Sequence, residues 1–99
     1  MKLSADFTLE RMAETFRNRN TMYGDNWITV GKVMKALYPE GITSKTEEDH
    51  IVHHWISWIV GKLTRYVNSG DIESIHDMAV YGAMLETFLL QLEKEKHDR

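Results

Sequence analysis

Four charged side chains around a short turn are the residues best suited to do chemistry in this chain. Within KLTRYVNSGDIESIHDMAVY, residues 62–81, Lys62 and Arg65 precede the turn. Glu73 and Asp77 follow it. Carboxylate oxygens are hard ligands that Mg²⁺ prefers, and Lys and Arg side chains neutralise phosphate oxygens. The pattern is therefore typical of a site for Mg²⁺ and a polyphosphate, with Glu73 and Asp77 as candidate metal-binding groups.

The same charges have a purely structural interpretation as an interhelical salt-bridge pair. Folding the chain about the Ser69–Gly70 turn places Lys62 level with Asp77, and Arg65 near Glu73 and Ser74. Glu73 and Asp77 are four residues apart, so they share one face of a helix and need a cation nearby. That cation is either a protein side chain or a metal ion, and the spacing leaves both alternatives open.

Hydrophobic periodicity predicts that four helices position these groups. Apolar residues recur every three or four positions over residues 6–20, 27–37, 46–67 and 72–95. No long stretch alternates with period two, so strands are not expected. The third and fourth helices are joined by a short turn and must run antiparallel. We expect an all-α, four-helix arrangement with a long central helical hairpin, forming a single domain over residues 1–99 with a solvated tail from about residue 93.

The apolar positions predict which helix faces are buried. The third helix carries Ile51, Trp55 and Trp58 in addition to its main seam, which is more apolar surface than one face can bury. This surplus predicts a dimer or a larger oligomer. The expected buried positions are Phe7 or Leu9, Met12 or Ala13, Phe16, Trp27, Val30, Val33 or Met34, Leu37, Val52, Trp55 or Ile56, Ile59, Leu63, Tyr66 or Val67, Ile75, Met78 or Ala79, Gly82, Leu85, Leu89 and Leu92.

The turn between the first two helices is a second candidate site. It reads Tyr23-Gly24-Asp25-Asn26-Trp27. An aromatic side chain there could stack on a nucleobase, and backbone N–H groups and a carboxylate could bind the rest of a nucleotide. The structural alternative is an ordinary helix–turn–helix connection, in which Gly24 ends one helix, Asp25 or Asn26 caps the next, and Trp27 lies in the core.

A histidine group at the start of the third helix is a third, weaker candidate. His50, His53 and His54 follow the acidic residues 47–49 at helical spacing, which could suit a transition metal. The sequence lacks the glutamate between two histidines that a metalloprotease-type base requires. The alternative is a polar helix surface whose first-turn acids stabilise the helix dipole.

Composition excludes several classes of protein. The 99 residues carry a net charge of −3 and no basic cluster, which argues against dedicated nucleic-acid binding. There is no cysteine, so disulfides and thiolate chemistry are excluded. No run approaches the roughly 18 apolar residues of a membrane span, and the first residues lack the apolar run of a signal peptide. We therefore expect a cytoplasmic location and no membrane partner.

Three motifs resemble those of a family of small phage and prophage proteins of unknown function. That family has an R…YG turn, a later K-x-x-R helix and a D-S-x-x-D-x-A-x-Y helix. The corresponding segments here are RNTMYGDN at 19–26, KLTR at 62–65 and ESIHDMAVY at 73–81. The resemblance spans roughly residues 10 to 90. It implies a phage-type protein acting in the cytoplasm of the host cell.

This family is in turn similar, more distantly, to the MazG-like all-α nucleoside triphosphate pyrophosphohydrolases. Those enzymes hold Mg²⁺ around a triphosphate with acidic residues on facing helices, and they assemble as dimers or larger oligomers. The resemblance implies that Glu73 and Asp77 are Mg²⁺ ligands, that Lys62 and Arg65 bind phosphate, and that a metal-bound water attacks a phosphoryl group.

The chain departs from the MazG-like pattern at one place. Those enzymes carry a Glu-x-x-Glu pair on the helix before their Glu-x-x-Asp, whereas the third helix here has no carboxylate after Asp49. At a 1.5 Å rise per residue, Asp49 lies about 20 Å along the axis from Lys62. The leading interpretation is a phage-type nucleotide-interacting protein, and the activity that the resemblance implies for it is Mg²⁺-dependent nucleoside triphosphate pyrophosphohydrolysis. The alternative is a non-catalytic module that sequesters a nucleotide signal or binds a host protein.

Overall fold

Four helices make up the computed structural model, which describes residues 3–98 except for the side chains of Met22 and Tyr23. They are α1 (Ala5–Tyr23), α2 (Asn26–Leu37), α3 (Glu47–Ser69) and α4 (Ile72–His97). Residues 3–98 contain no strand, and the predicted all-α class is confirmed. Each helix lies where the periodicity predicted it, and α4 continues through exposed residues beyond position 93 to His97.

Side-chain caps fix where the two long helices begin. At α3, the Thr46 hydroxyl accepts from the Asp49 N–H at 3.1 Å. The Asp49 carboxylate accepts in return from the N–H groups of Lys45 and Thr46, at 3.1 and 3.3 Å. At α4, Asp71 accepts from the Glu73 N–H at 3.2 Å. These caps confirm the boundaries predicted from Thr46 and Asp71, and hydrogen bonds from Lys45 and Thr46 hold the pKa of Asp49 below its usual value.

Asp49→Ala is expected to lower the melting temperature at neutral pH and to have little effect near pH 2. Because the folded-state pKa of Asp49 is below that of the unfolded chain, its stabilisation is present above the unfolded pKa. It is lost as the pH falls through the folded value. Thermal unfolding at several pH values measures this, with Glu48→Gln in the same helical turn as the control. A pH-independent effect of Asp49→Ala would contradict the capping role.

The α3–α4 hairpin is the body of the molecule. Helix α3 packs against α4 along one side and against α2 and α1 on others. At the turn, Gly70 adopts the left-handed conformation at φ 71°, which glycine tolerates at no steric cost. The antiparallel hairpin predicted from the short connection is confirmed, and α3 is the central helix.

The core is much thinner than the apolar pattern suggests. Val60 is the one buried apolar side chain among the described residues, and Thr64 and Ser74 are buried polar ones. The radius of gyration is 18.1 Å, compared with about 13 Å for a compact chain of this length. The molecule is accordingly elongated, with a longest dimension of 63 Å.

Several predicted burial assignments are therefore wrong for the single chain. Helices α1 and α2 pack on α3 and leave their other sides open, so apolar positions at correct helical spacing have no neighbour to pack against. Several of the expected core positions are half-buried. They are Val30, Val33, Met34, Ile59, Ile75, Met78 and Leu85. The predicted core residues that are exposed instead are Phe7, Leu9, Phe16, Trp27, Leu37, Leu63, Tyr66, Val67 and Leu89, and of the pair Met12 or Ala13, Ala13 is the half-buried one.

Candidate functional site

A cleft lies where α2, α3 and α4 meet. Its first hollow, of about 410 Å³, is lined by Asn26, Ser57, Trp58, Gly61, Lys62, Arg65 and Tyr81. A second hollow of about 290 Å³ opens towards α1 and is lined by Phe16, Arg19, Asn20, Gly24, Asn26, Trp27 and Arg65. The two hollows share Asn26 and Arg65, and we call them together the cationic cleft.

Helical spacing on α3 produces the floor of the cleft. Trp58, Lys62 and Arg65 succeed one another at four and three residues, so they project from one face of the helix. Gly61 lies between them and has no side chain, which opens access to the α3 backbone. An added Cβ at Gly61 would meet nothing closer than a Val30 methyl at 3.9 Å. The absence of bulk here therefore widens the cleft.

Asn26 joins α2 to this floor and leaves one hydrogen-bonding atom free. Its side-chain Nδ2 donates to the Gly61 carbonyl at 3.3 Å. Its Oδ1 is buried and has no partner among the described residues. A buried acceptor without a partner is uncommon and costs free energy, so such a group is a reason to look for a ligand donor. Oδ1 is able to accept from an N–H or O–H of a bound molecule.

Tyr81 of α4 and Trp58 of α3 line the first hollow, and Trp55 packs against both rings outside the lining. Tyr81 contacts Trp58 and Trp55, with ring centroids 5.5 and 5.2 Å apart, and the two Trp centroids are 5.7 Å apart. This mutual packing fixes the rings, because tilted and edge-to-face pairs are favourable. Trp58 remains 48% exposed within the cleft. It therefore offers a fixed aromatic surface to a planar ligand.

Lys62 is held by a carboxylate from α4. Its Nζ lies 3.0 Å from Asp77 Oδ2, which confirms the pairing predicted from the hairpin. The same ammonium lies 6.0 Å from the Tyr81 ring centroid, at the limit of a cation–π contact. Arg65 lines both hollows and Arg19 lines the second. The cleft thus has two guanidinium groups besides the ion-paired Lys62.

The structure brings together only part of the predicted set. Asn26, Trp27, Lys62 and Arg65 line the cationic cleft, although they come from separate segments of the sequence. Trp27 is 66% exposed, so the alternative that placed this tryptophan in the core is wrong. Its ring is available for stacking.

The remaining predicted residues lie outside the lining of the cleft. Asp77 is connected to the cleft by its ion pair with Lys62, and Glu73 is exposed on α4. Asp25 is exposed in the turn before α2. When the side-chain amide of Asn20 is turned with its nitrogen towards Asp25, that nitrogen donates to Asp25 Oδ1 at 3.0 Å. The side chain of Tyr23 lies outside the described residues.

Sequence reasoning missed seven lining residues as members of a site: Phe16, Arg19, Asn20, Ser57, Trp58, Gly61 and Tyr81. Arg19 and Tyr81 stand inside the motifs that carry the family resemblance, so the motifs contained a signal that the charge pattern did not. Trp58 was assigned to an oligomer interface because it is apolar, and Ser57 carried no signal. The helical spacing from Trp58 to Lys62 and Arg65 would have placed Trp58 beside the cations.

The carboxylates of Glu73 and Asp77 could bind Mg²⁺ only together with oxygen atoms of a ligand and of water. Within residues 3–98, no three His, Asp or Glu side chains converge on a common point. Glu73 and Asp77 lie one turn apart on α4, and Mg²⁺ commonly takes one or two carboxylates and completes its shell with phosphate oxygens and water. Asp77 would have to share its carboxylate between the metal and Lys62.

The histidine group shows no metal-binding geometry in the described chain either. His53 Nδ1 lies 2.5 Å from the Ser44 hydroxyl, and its ring stands edge-on to Tyr38 at 5.4 Å. His54 packs against Trp58 with centroids 4.8 Å apart. These contacts give His53 and His54 packing roles at the α3 surface, in keeping with the structural alternative.

Comparisons of the chain with protein-family models, with curated proteins and with solved structures find no match. The phage-family and MazG-like resemblance therefore stays a prediction that rests on the three motifs. In the described residues, no helix has the length and apolar character needed to cross a membrane.

Proposed function

We propose that the chain is a phage-type nucleotide-interacting protein and that the cationic cleft binds a nucleoside phosphate. The observation that carries this proposal is the junction of the two hollows, where Arg65 and the free acceptor of Asn26 lie between Trp58 and Arg19. The size of the hollows suits a small ligand, since ligand sites measure roughly 300–1,000 Å³.

Each part of a nucleotide has a matching group in the cleft. The base would stack on Trp58 and donate an N–H to Asn26 Oδ1, which has no other donor among the described residues. The phosphates would lie towards Arg65 and Arg19, whose guanidinium groups can bind phosphate oxygens in pairs. The exposed Trp27 ring offers a second stacking surface at the α1 side.

Binding without cleavage is the form of this proposal that the geometry supports best. Asp77 is engaged by Lys62, and the described residues offer no three-carboxylate cage. Mg²⁺-dependent pyrophosphohydrolysis is the second candidate, supported by the MazG-like resemblance and by the carboxylates of Glu73 and Asp77 on one face of α4. In that case Mg²⁺ would supply charge neutralisation and an activated water when bound.

One series of assays distinguishes nucleotide binding without cleavage from hydrolysis. We expect nucleoside triphosphates to raise the melting temperature of the protein, and more so at higher ligand concentration. Incubation with a panel of (d)NTPs and Mg²⁺, followed by ³¹P NMR, then reports whether monophosphate and pyrophosphate accumulate. Turnover that is lost in Asp77→Asn identifies the hydrolase. Stabilisation without turnover, unaffected by removal of Mg²⁺, identifies the binder, and no stabilisation by any nucleotide contradicts the proposal.

The proposed partners follow from the exposed surfaces. We propose that the chain forms a homo-oligomer, because the exposed apolar side chains extend over all four helices. A host protein is the alternative occupant of such surfaces if the protein acts in the cytoplasm of a phage-infected cell. Mass measurement of the purified chain separates the two, since only self-association raises the mass without another protein.

A further inference from the structure

The two hollows of the cationic cleft repeat one arrangement, an exposed indole ring beside a guanidinium group. The chain has three tryptophans. Trp58, which is 48% exposed, lines the first hollow, and Trp27, which is 66% exposed, lines the second. Trp55 is half-buried and lines neither hollow. Both exposed tryptophans of the chain therefore belong to the cleft, with one in each hollow.

Each hollow is small when taken alone. The volumes of about 410 and 290 Å³ lie near the lower end of the roughly 300–1,000 Å³ that ligand sites measure. A nucleoside placed against Trp58 occupies the first hollow and leaves the indole ring of Trp27 uncovered in the second. An exposed aromatic ring in a hollow is a surface on which any nucleobase can stack. The size and the lining of the hollows thus favour a ligand with two bases.

The positive charge of the cleft lies where the two hollows meet. Arg65 lines both hollows, and Arg19 lines the second. Lys62, in the first hollow, is ion-paired with Asp77 at 3.0 Å, so its charge is already balanced by the protein. Guanidinium groups bind phosphate oxygens in pairs. The order of groups along the cleft is therefore aromatic ring, guanidinium, aromatic ring, which matches a ligand built as base, phosphate, base.

We infer that the cationic cleft binds a dinucleotide, in which two nucleosides are joined through phosphate groups. One base stacks on Trp58, the other stacks on Trp27, and the phosphates between them lie at Arg65. The inference rests on the nucleotide binding proposed above and names the class of nucleotide. Joining the two bases makes the second stacking event intramolecular, which raises the overall affinity when the phosphate bridge spans both rings.

Calorimetric titration with linked and unlinked adenosine nucleotides tests the inference. The linked probes are diadenosine diphosphate, triphosphate and tetraphosphate. Each is compared with the unlinked nucleotide that has the same number of phosphates, namely ADP, ATP or adenosine tetraphosphate. The unlinked nucleotide is at least as negatively charged as its linked counterpart, so tighter binding of the linked probe must come from the second nucleoside. We expect the best linked probe to bind at least about tenfold tighter than its counterpart, with one molecule bound to each chain.

A second arm of the titration identifies the kind of bridge. The 3′–5′-linked dinucleotide pApA joins its nucleosides through a phosphodiester, and it is compared with ADP, which has the same number of phosphates. A larger gain for pApA than for the diadenosine probes supports the inference and assigns a phosphodiester-linked dinucleotide. A larger gain for a diadenosine probe supports it and assigns a polyphosphate bridge.

Substitution of Trp27 tests the second stacking surface. Trp27→Ala is expected to bring the ratio of linked to unlinked affinity close to one, because the second base loses its stacking partner. Trp27→Phe keeps an aromatic ring and should retain most of the ratio. The matched control is Leu37→Ala, which removes an exposed apolar side chain from the same helix outside the cleft. A ratio that survives Trp27→Ala, or that falls equally in Leu37→Ala, would overturn the inference.

The outcomes distinguish the dinucleotide from nucleotide binding in general. If none of the probes binds, both the proposed function and the dinucleotide are overturned. If ATP binds and linkage brings no gain, or if two linked molecules bind to each chain, the dinucleotide alone is overturned and nucleotide binding in the cleft stands.

Discussion

Arg65→Ala is expected to weaken nucleoside triphosphate binding at least about tenfold. Among the residues that the structure describes, Arg65 is the one cation that lines both hollows of the cationic cleft, so it can reach phosphates from either side. Hydrogen bonds to charged groups contribute roughly 1.5–3 kcal/mol, and each 1.4 kcal/mol corresponds to about a factor of ten in affinity. Isothermal titration calorimetry measures the change directly.

Arg17→Ala is the matched control for this measurement. Arg17 is an exposed arginine on α1 that does not line the cleft, and its removal changes the net charge of the chain by the same amount. An equal loss of affinity in both variants would show that binding depends on net charge. It would contradict a phosphate site at Arg65.

The largest expected effect on stability is that of Ser74→Leu. Ser74 is 1% exposed within the hairpin, and its hydroxyl donates to Asp71 Oδ2 at 3.2 Å. A leucine has no room at this position, and overpacking of this kind costs typically about 1–3 kcal/mol. For a chain of this size, the melting temperature should fall by roughly 5–20 °C. Thermal unfolding followed by circular dichroism reports the change.

Two further variants separate the causes of this loss. Ser74→Ala removes the hydrogen bond without adding volume and should cost about 1 kcal/mol. His76→Leu adds the same side chain at an exposed position of α4 and should change the melting temperature little. If Ser74→Leu were as well tolerated as His76→Leu, close packing at Ser74 would be disproved. The serine of the E-S-x-x-D motif would then need another explanation.

The helices were predictable because their signals are local. Periodicity, the capping residues Thr46 and Asp71, and the glycine at position 70 each act within a few residues of the chain, and the structure has all of them as expected. The pairing of Lys62 with Asp77 was also predictable, because a short turn fixes the register of the two helices it joins.

The buried faces were not predictable, because burial depends on neighbours that periodicity does not specify. A stripe such as Phe7, Met12 and Phe16 shows only that a helix has an apolar side. In this chain α1 contacts α3, Phe7 and Met12 are exposed, and Phe16 lines the second hollow of the cleft. The same reason explains why Trp27, expected in the core by the structural alternative, is exposed at the cleft.

The candidate site was predictable only in part because it is assembled from three distant segments. Charge spacing found Lys62 and Arg65, and the turn composition found Asn26 and Trp27. Nothing in the pattern joined these two pairs. Their meeting depends on the packing of α2 against α3, which includes the hydrogen bond from Asn26 to Gly61.

The central claim is that a nucleotide lies in the cationic cleft, and the tryptophan side chains report on it directly. The chain has three tryptophans, so a ¹⁵N-labelled sample gives three indole N–H signals. During titration with a nucleoside triphosphate, we expect large shifts of the Trp58 and Trp27 signals and a smaller shift of Trp55, which touches the cleft only through Trp58 and Tyr81. Signals of Trp58 and Trp27 that stay in place at millimolar nucleotide would contradict the proposed site.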